Sequence, residues 1–420
     1  MTGLVLVLAA CAAAPPTRPQ PGAQPVAAPD LAACTTRSAD PAAARAACDR
    51  LLARPTLEPA RRADALATRA TLLRRAGELE AARADLDALL AIRPEDVGAF
   101  AARALVRERL GDPDGAVADL RAARARAPED PEIAANLARL LLRRGEAREA
   151  VRLLDPVLAR SPRAVDALST RARARLELAD AAGAVADFDA ALAEAPDRAD
   201  LLSGRARAHL QRGDARAAVA DLEAARARAP DDRELQLALG RALLRAGDPA
   251  RALATFDAVV AADPDSFEAR LGRGRALLAL GRPRPALAAL DRAIALDSTR
   301  ADAWHIRGLV RMRLEDYVRA QRDLSEALRR EPARLDALAT RGIARLRRDD
   351  PRGALADLDR AIRGGAAEPW FLYNRARALE QLGERTRAIA DLERALAGDP
   401  GLTPARDALD RLRRQPTGGG

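Results

Sequence analysis

One alanine returns every 34 residues, ten times in succession: Ala82, Ala116, Ala150, Ala184, Ala218, Ala252, Ala286, Ala320, Ala354 and Ala388. No insertion or deletion breaks the phase between Ala63 and Leu402. A strict period of this length makes the chain an array of one small unit, stacked copy upon copy to bury its apolar faces. Other places in the unit are as constrained. The eighth residue is alanine or glycine throughout, from Ala70 through Gly240, Gly274, Gly308 and Gly342 to Ala376. The twenty-fourth is leucine or phenylalanine, as in Phe188, Leu222 and Phe256. Proline closes eight units, from Pro94 to Pro400, with Ser298 and Ala366 in the remaining two phases.

Each unit reads as two helices. Leu239, Gly240, Leu243 and Leu244 lie at helical spacing. In seven units a glycine such as Gly247 follows, where a left-handed residue ends a helix without a Cβ penalty. Asp248 is then placed to cap a second helix, with Pro249 in its first turn, where no N–H is needed. Leu253, Phe256, Val259 and Val260 form one apolar stripe, and Pro264 stops it. The small residues at places eight and twenty let the two helices approach closely.

This period and pattern resemble the tetratricopeptide repeat, over residues 63–402. The resemblance implies an all-α fold, an α-solenoid in which ten helix-turn-helix units wind into a right-handed superhelix. Their first helices would line a concave groove that binds a protein or peptide. Residues 403–414 resemble one more first helix, a cap over the last apolar face, and 415–420 would be a disordered tail.

Upstream, "MTGLVLVLAAC" resembles a bacterial lipoprotein signal. That resemblance implies a signal peptide at 1–10, cleavage before Cys11, and a lipid on Cys11 that holds the chain to a membrane. Ala12 after the cysteine, where an aspartate would signal inner-membrane retention, implies the outer membrane. Residues 11–29 carry six prolines and read as a linker, reaching roughly 55 Å at about 3.1 Å per residue. Residues 30–62 read as a helical cap containing Cys34 and Cys48. In an oxidising periplasm these two would bond, stabilising the cap by about 3 kcal/mol. In a cytosolic chain they would be two buried thiols.

Chemistry is harder to find. All 70 basic residues are arginine, against 61 acids, for a net charge of +9. With no lysine and so much alanine, this is the codon bias of a GC-rich genome, and nucleic acid is not the expected partner. At 2% aromatic content the chain offers few side chains on which bases stack. A P-loop lysine or a Schiff base is excluded. His209 and His305 stand at different phases, with no metal-ligand spacing, and no nucleophile–base set can be assembled. We expect no enzyme, no cofactor and no metal. Arginine occupies the seventh place in eight units, and aspartate follows sixteen residues later in seven. Leu137 and Leu239 replace that arginine in two of the three units that lack the aspartate. We expect helix-to-helix ion pairs of at most about 1 kcal/mol each.

In related repeats, places two, five, nine and thirteen face the groove. The ninth is arginine in five consecutive units, Arg139, Arg173, Arg207, Arg241 and Arg275, and then turns apolar with Leu309 and Ile343. Trp370 and Tyr373 sit at places two and five of the last unit. We expect these nine residues to form the binding groove for an extended protein or peptide, acidic at one end and apolar at the other. The function expected is a non-enzymatic scaffold in the cell envelope, for envelope, pilus, secretion or polysaccharide-export assembly. The alternative is a cytosolic arginine-rich adaptor that touches RNA.

Overall fold

The computed structural model describes residues 32–34 and 40–414, which are helical apart from short turns, with no strand among them. Residues 1–31, 35–39 and 415–420, and with them the signal peptide, Cys11, the proline-rich linker and the tail, lie outside the described residues. Twenty helices form the ten repeats, flanked by Pro41–Leu52 before them and Thr403–Arg414 after them. No described helix is long and apolar enough to cross a membrane.

The chain divides into two compact units between Leu178 and Ala179, inside the fourth repeat (165–198). Within each unit, a repeat's second helix packs against its own first helix and against the first helix of the next repeat.

Local chemistry explains the regular turn. The fifteenth residue has positive φ in all ten repeats. Seven are glycines, and Ala179, Glu315 and Asp349 take the same conformation with φ of 61°, 60° and 61°. At Gly247 the turn closes as the spacing predicts: its N–H donates to the Leu244 carbonyl, and that of Asp248 to Leu243. The Asp248 carboxylate then accepts from the Arg251 N–H at 3.1 Å. Asp112, Asp180, Asp214, Asp316 and Asp350 cap their helices in the same way.

The recurring alanine at place twenty has no exposed surface in any repeat. Larger core residues are matched by glycine. A Cβ on Gly240 or Gly272 would lie 2.5 or 2.4 Å from the ring of Phe256, which is buried between them. One on Gly204 would meet Phe188 at 2.5 Å. Phenylalanine at place twenty-four is thus accommodated by glycine at place six of the following repeat.

The arginine–aspartate correlation is a contact, of another kind than the solvated pair expected. Arg69 grips Asp85 with two parallel bonds of 2.8 and 2.6 Å, and Arg103, Arg205, Arg307, Arg341 and Arg375 grip Asp119, Asp221, Asp323, Asp357 and Asp391 likewise. These aspartates are buried. The figure of about 1 kcal/mol for a solvated pair is therefore too low a cost for breaking one. Where no second arginine reaches the aspartate, as at Asp85, removing the arginine strands a buried charge, at about 3–5 kcal/mol. The same arginines also reach back to the second helix of the preceding repeat: Arg103 to Asp87, Arg205 to Asp189, Arg307 to Asp291 and Arg375 to Asp359, at 2.7 to 2.8 Å. One guanidinium thereby ties three helices.

At the start of the array, Cys34 and Cys48 are disulfide-bonded and fully buried beside Leu51 and Leu57. At its end, Thr403–Arg414 turns Ala405, Ala408, Leu409 and Leu412 onto Leu392 and Ala395 of the last repeat.

Candidate functional site

Places two, five and nine lie on one face of each first helix, since they are separated by three and four residues. The five arginines at place nine differ in what holds them. Arg139 is bonded to Glu108 of the preceding repeat at 2.7 and 3.2 Å, and Arg143 takes the same carboxylate at 2.7 Å. A ligand carboxylate would have to displace Glu108 to reach Arg139. Arg173 is half-buried.

In the second unit these arginines divide. Arg207 and Arg241 are exposed, and neither forms an ion pair or a hydrogen bond among the described residues. Arg275 is half-buried, its Nε enclosed without a partner and its Nη2 3.5 Å from Asp302. Burial, opposed by Asp302 and aided by Arg334, Arg241 and Arg300, lowers its pKa.

Asp302 belongs to a row the sequence reading passed over. Place two is acidic in eight repeats: Asp64, Glu132, Asp166, Asp200, Glu234, Glu268, Asp302 and Asp336. Arginines at the repeat junctions answer several of these acids. Arg300 reaches Glu268 at 3.3 Å and Asp302 at 3.9 Å, and Arg334 reaches Asp302 and Asp336 at 3.0 Å each. His305, at place five between these pairs, is 4% exposed, and neither ring nitrogen has a hydrogen-bond partner. Its Nδ1 lies 3.5 Å from Asp336. Burial pushes its pKa from 6.5 down to about 4, so the ring is neutral at pH 7.

Leu309 and Ile343 are half-buried, continuing the face with apolar surface. In the last repeat (369–402) Trp370 is 44% exposed. Its ring lies 5.3 Å from that of Tyr373, tilted by 35°. Arg377, at place nine of the same helix, has its guanidinium 6.0 Å from the Tyr373 ring. Trp370, Tyr373 and Arg377 thus share one surface. In the sequence Arg377 does not stand out, because two apolar residues, Leu309 and Ile343, interrupt the arginine row before it.

Tetratricopeptide repeat family models match residues 203–267, 237–303, 271–333 and 339–403, and another matches 109–176. The chain belongs to the tetratricopeptide repeat family. Among solved structures it is similar to a tetratricopeptide repeat protein from Parabacteroides merdae, at 18% identity and a TM-score of 0.48. That alignment covers 59% of this chain and 98% of the other. Yeast Tom70 aligns at 16% identity and a TM-score of 0.42, over 85% of this chain and 89% of its own. YrrB, described as a TPR protein with an unusual peptide-binding site, aligns at 21% identity and a TM-score of 0.36, over 44% and 95%. No curated protein matches the chain. As a tetratricopeptide repeat protein it is built as a scaffold for protein–protein interaction.

Proposed function

We propose that this chain is a non-enzymatic scaffold whose first-helix face in repeats five to ten (199–402) holds an extended partner segment. An acidic stretch binds Arg207 and Arg241, and an apolar or aromatic residue seats on Trp370 and Tyr373. The observation that carries the reading is the state of those two arginines. Along a face where junction arginines are tied to the acids at place two, Arg207 and Arg241 stand exposed and unpaired. A guanidinium held that way pairs with a carboxylate through two parallel bonds without first breaking another. The acidic row restricts where such a carboxylate lands, so the partner's own charges alternate rather than run uniformly negative.

The signal-like start and Cys11 support a location on the periplasmic side of the outer membrane, with a lipid on Cys11 as the anchor. The Cys34–Cys48 bond suits an oxidising compartment of that kind. The site is tested by capture from envelope extracts. Arg207→Glu with Arg241→Glu should abolish recovery of the partner, and Trp370→Ala should weaken it independently, with thermal stability unchanged in both. Recovery of the same partners by wild type and all variants would refute the groove.

A further inference from the structure

Repeat three (131–164) is one of the three that lack the buried arginine–aspartate pair, with Leu137 and Leu153 in its place. There the structure has a cavity of about 500 Å³ between the second helix of repeat two, Pro113–Arg126, and the two helices of repeat three, Pro131–Arg143 and Ala147–Arg160. It lies between second helices, away from places two, five and nine of the first helices. Leu137 and Leu153 form its apolar wall, extended by Ala125 and Pro128. Arg121, Arg124, Arg152 and Glu149 line the rest.

The charges in this cavity do not balance. Arg121 is paired with Glu149 at 3.2 Å. Arg124 and Arg152 have no ion pair among the described residues, and the Nε of Arg124 is buried with no hydrogen-bond partner. Two guanidinium groups therefore border an apolar wall with no carboxylate left for them. Repeat six (233–266) is an internal comparison, because it also lacks the pair, having Leu239 and Thr255. There Thr255 donates to its own helix at the Arg251 carbonyl, Arg251 pairs with Glu223, and alanine (Ala254) stands where repeat three has Arg152. Loss of the pair alone does not assemble a cluster of free arginines.

We propose that the cavity in repeats two and three is a second binding site, for a carboxylate that carries a small aliphatic group, as the C-terminal residue of a peptide does. The carboxylate pairs with Arg124 and Arg152, and the aliphatic group covers the wall of Leu137 and Leu153. Inorganic phosphate would leave the exposed apolar lining, Ala125 and Pro128 above the two leucines, in water. A long acyl chain would outrun it, since the apolar lining is four residues. A cavity of this size holds about two or three residues of peptide.

The test uses the full chain and a fluorescein-labelled Ala-Ala-Ala-Leu peptide with a free C-terminus, titrated by fluorescence anisotropy. Saturable binding is expected, at least tenfold weaker for the C-terminal amide and for Arg124→Gln with Arg152→Gln. Leu137→Arg with Leu153→Asp rebuilds the ion pair of the other repeats, fills the wall and should abolish binding while helicity is retained. Arg207→Glu with Arg241→Glu should leave the affinity unchanged, which separates this site from the groove. Unlabelled 4-methylpentanoate identifies the source of the carboxylate. Competition as strong as that of unlabelled peptide assigns the site to a free small acid, and competition tenfold weaker assigns it to a chain end. Equal binding of acid and amide, unchanged affinity in the Arg124→Gln, Arg152→Gln variant, loss of affinity in the groove variant, or no saturation by the wild type would each overturn the proposal.

Discussion

His305 shows how far a single residue's environment can depart from its sequence context. Nothing in its phase marks it as buried and unpartnered, because its surroundings come from three repeats. Asp302 and Asp336 favour its charged form, Arg334 and Arg275 oppose it, and burial outweighs them all. With a folded pKa near 4 against 6.5 in the unfolded chain, the unfolded chain takes up the proton first as pH falls. The stabilisation is complete above pH 6.5 and is lost progressively towards pH 4, amounting to about 2 kcal/mol of lost stability at pH 5. Urea unfolding at pH 7.5 and pH 5.0 checks this: His305→Leu should show a smaller pH dependence than wild type, and an undiminished one would refute it. The turns present the opposite case at the same scale. Seven glycines at place fifteen announced a left-handed residue, yet Ala179, Glu315 and Asp349 adopt it too, because the helices on either side of the turn leave no other path.

Among elements, legibility depended on whether a contact stayed inside one repeat. Arg69 and Asp85 could be matched from the sequence because both shift together with the repeat phase. The third partners, Asp87 for Arg103 and Asp189 for Arg205, belong to the preceding repeat, so no pattern within one repeat reveals them. The acidic row at place two was missed for the same reason, being answered by arginines at the junctions. Repeat three supplies a natural replacement for the buried pair, since Leu137 and Leu153 are buried where other repeats hold charge. From this, Arg69→Met should destabilise the first unit by about 3–5 kcal/mol, because it strands the Asp85 carboxylate, which is 5% exposed. Arg69→Leu with Asp85→Leu should recover most of that loss. Chemical denaturation of the three variants decides it, and a double variant as unstable as the single one would show that the charge pair is irreplaceable.

At the scale of the whole chain, the period alone carried the fold, while composition hid the site. A chain whose every basic residue is arginine makes each arginine row look like background, and only the structure separates Arg207 and Arg241 from arginines already engaged. An array of this kind also localises damage, because each repeat is supported chiefly by its neighbours. The terminal helix Thr403–Arg414 covers the last repeat with Ala405, Ala408, Leu409 and Leu412, in the same apolar cluster against which Tyr373 packs. Truncation after Leu402 uncovers that cluster and loosens the helix that carries Trp370 and Tyr373. Leu409→Ala with Leu412→Ala does so more gently, at about 2–5 kcal/mol for each buried leucine removed. Either change should lower the thermal midpoint and weaken capture of the groove partner. Neither should alter peptide affinity at Arg124 and Arg152, since the repeats around that cavity keep their own neighbours. If both affinities fell together, stability would be transmitted along the entire chain rather than between adjacent repeats.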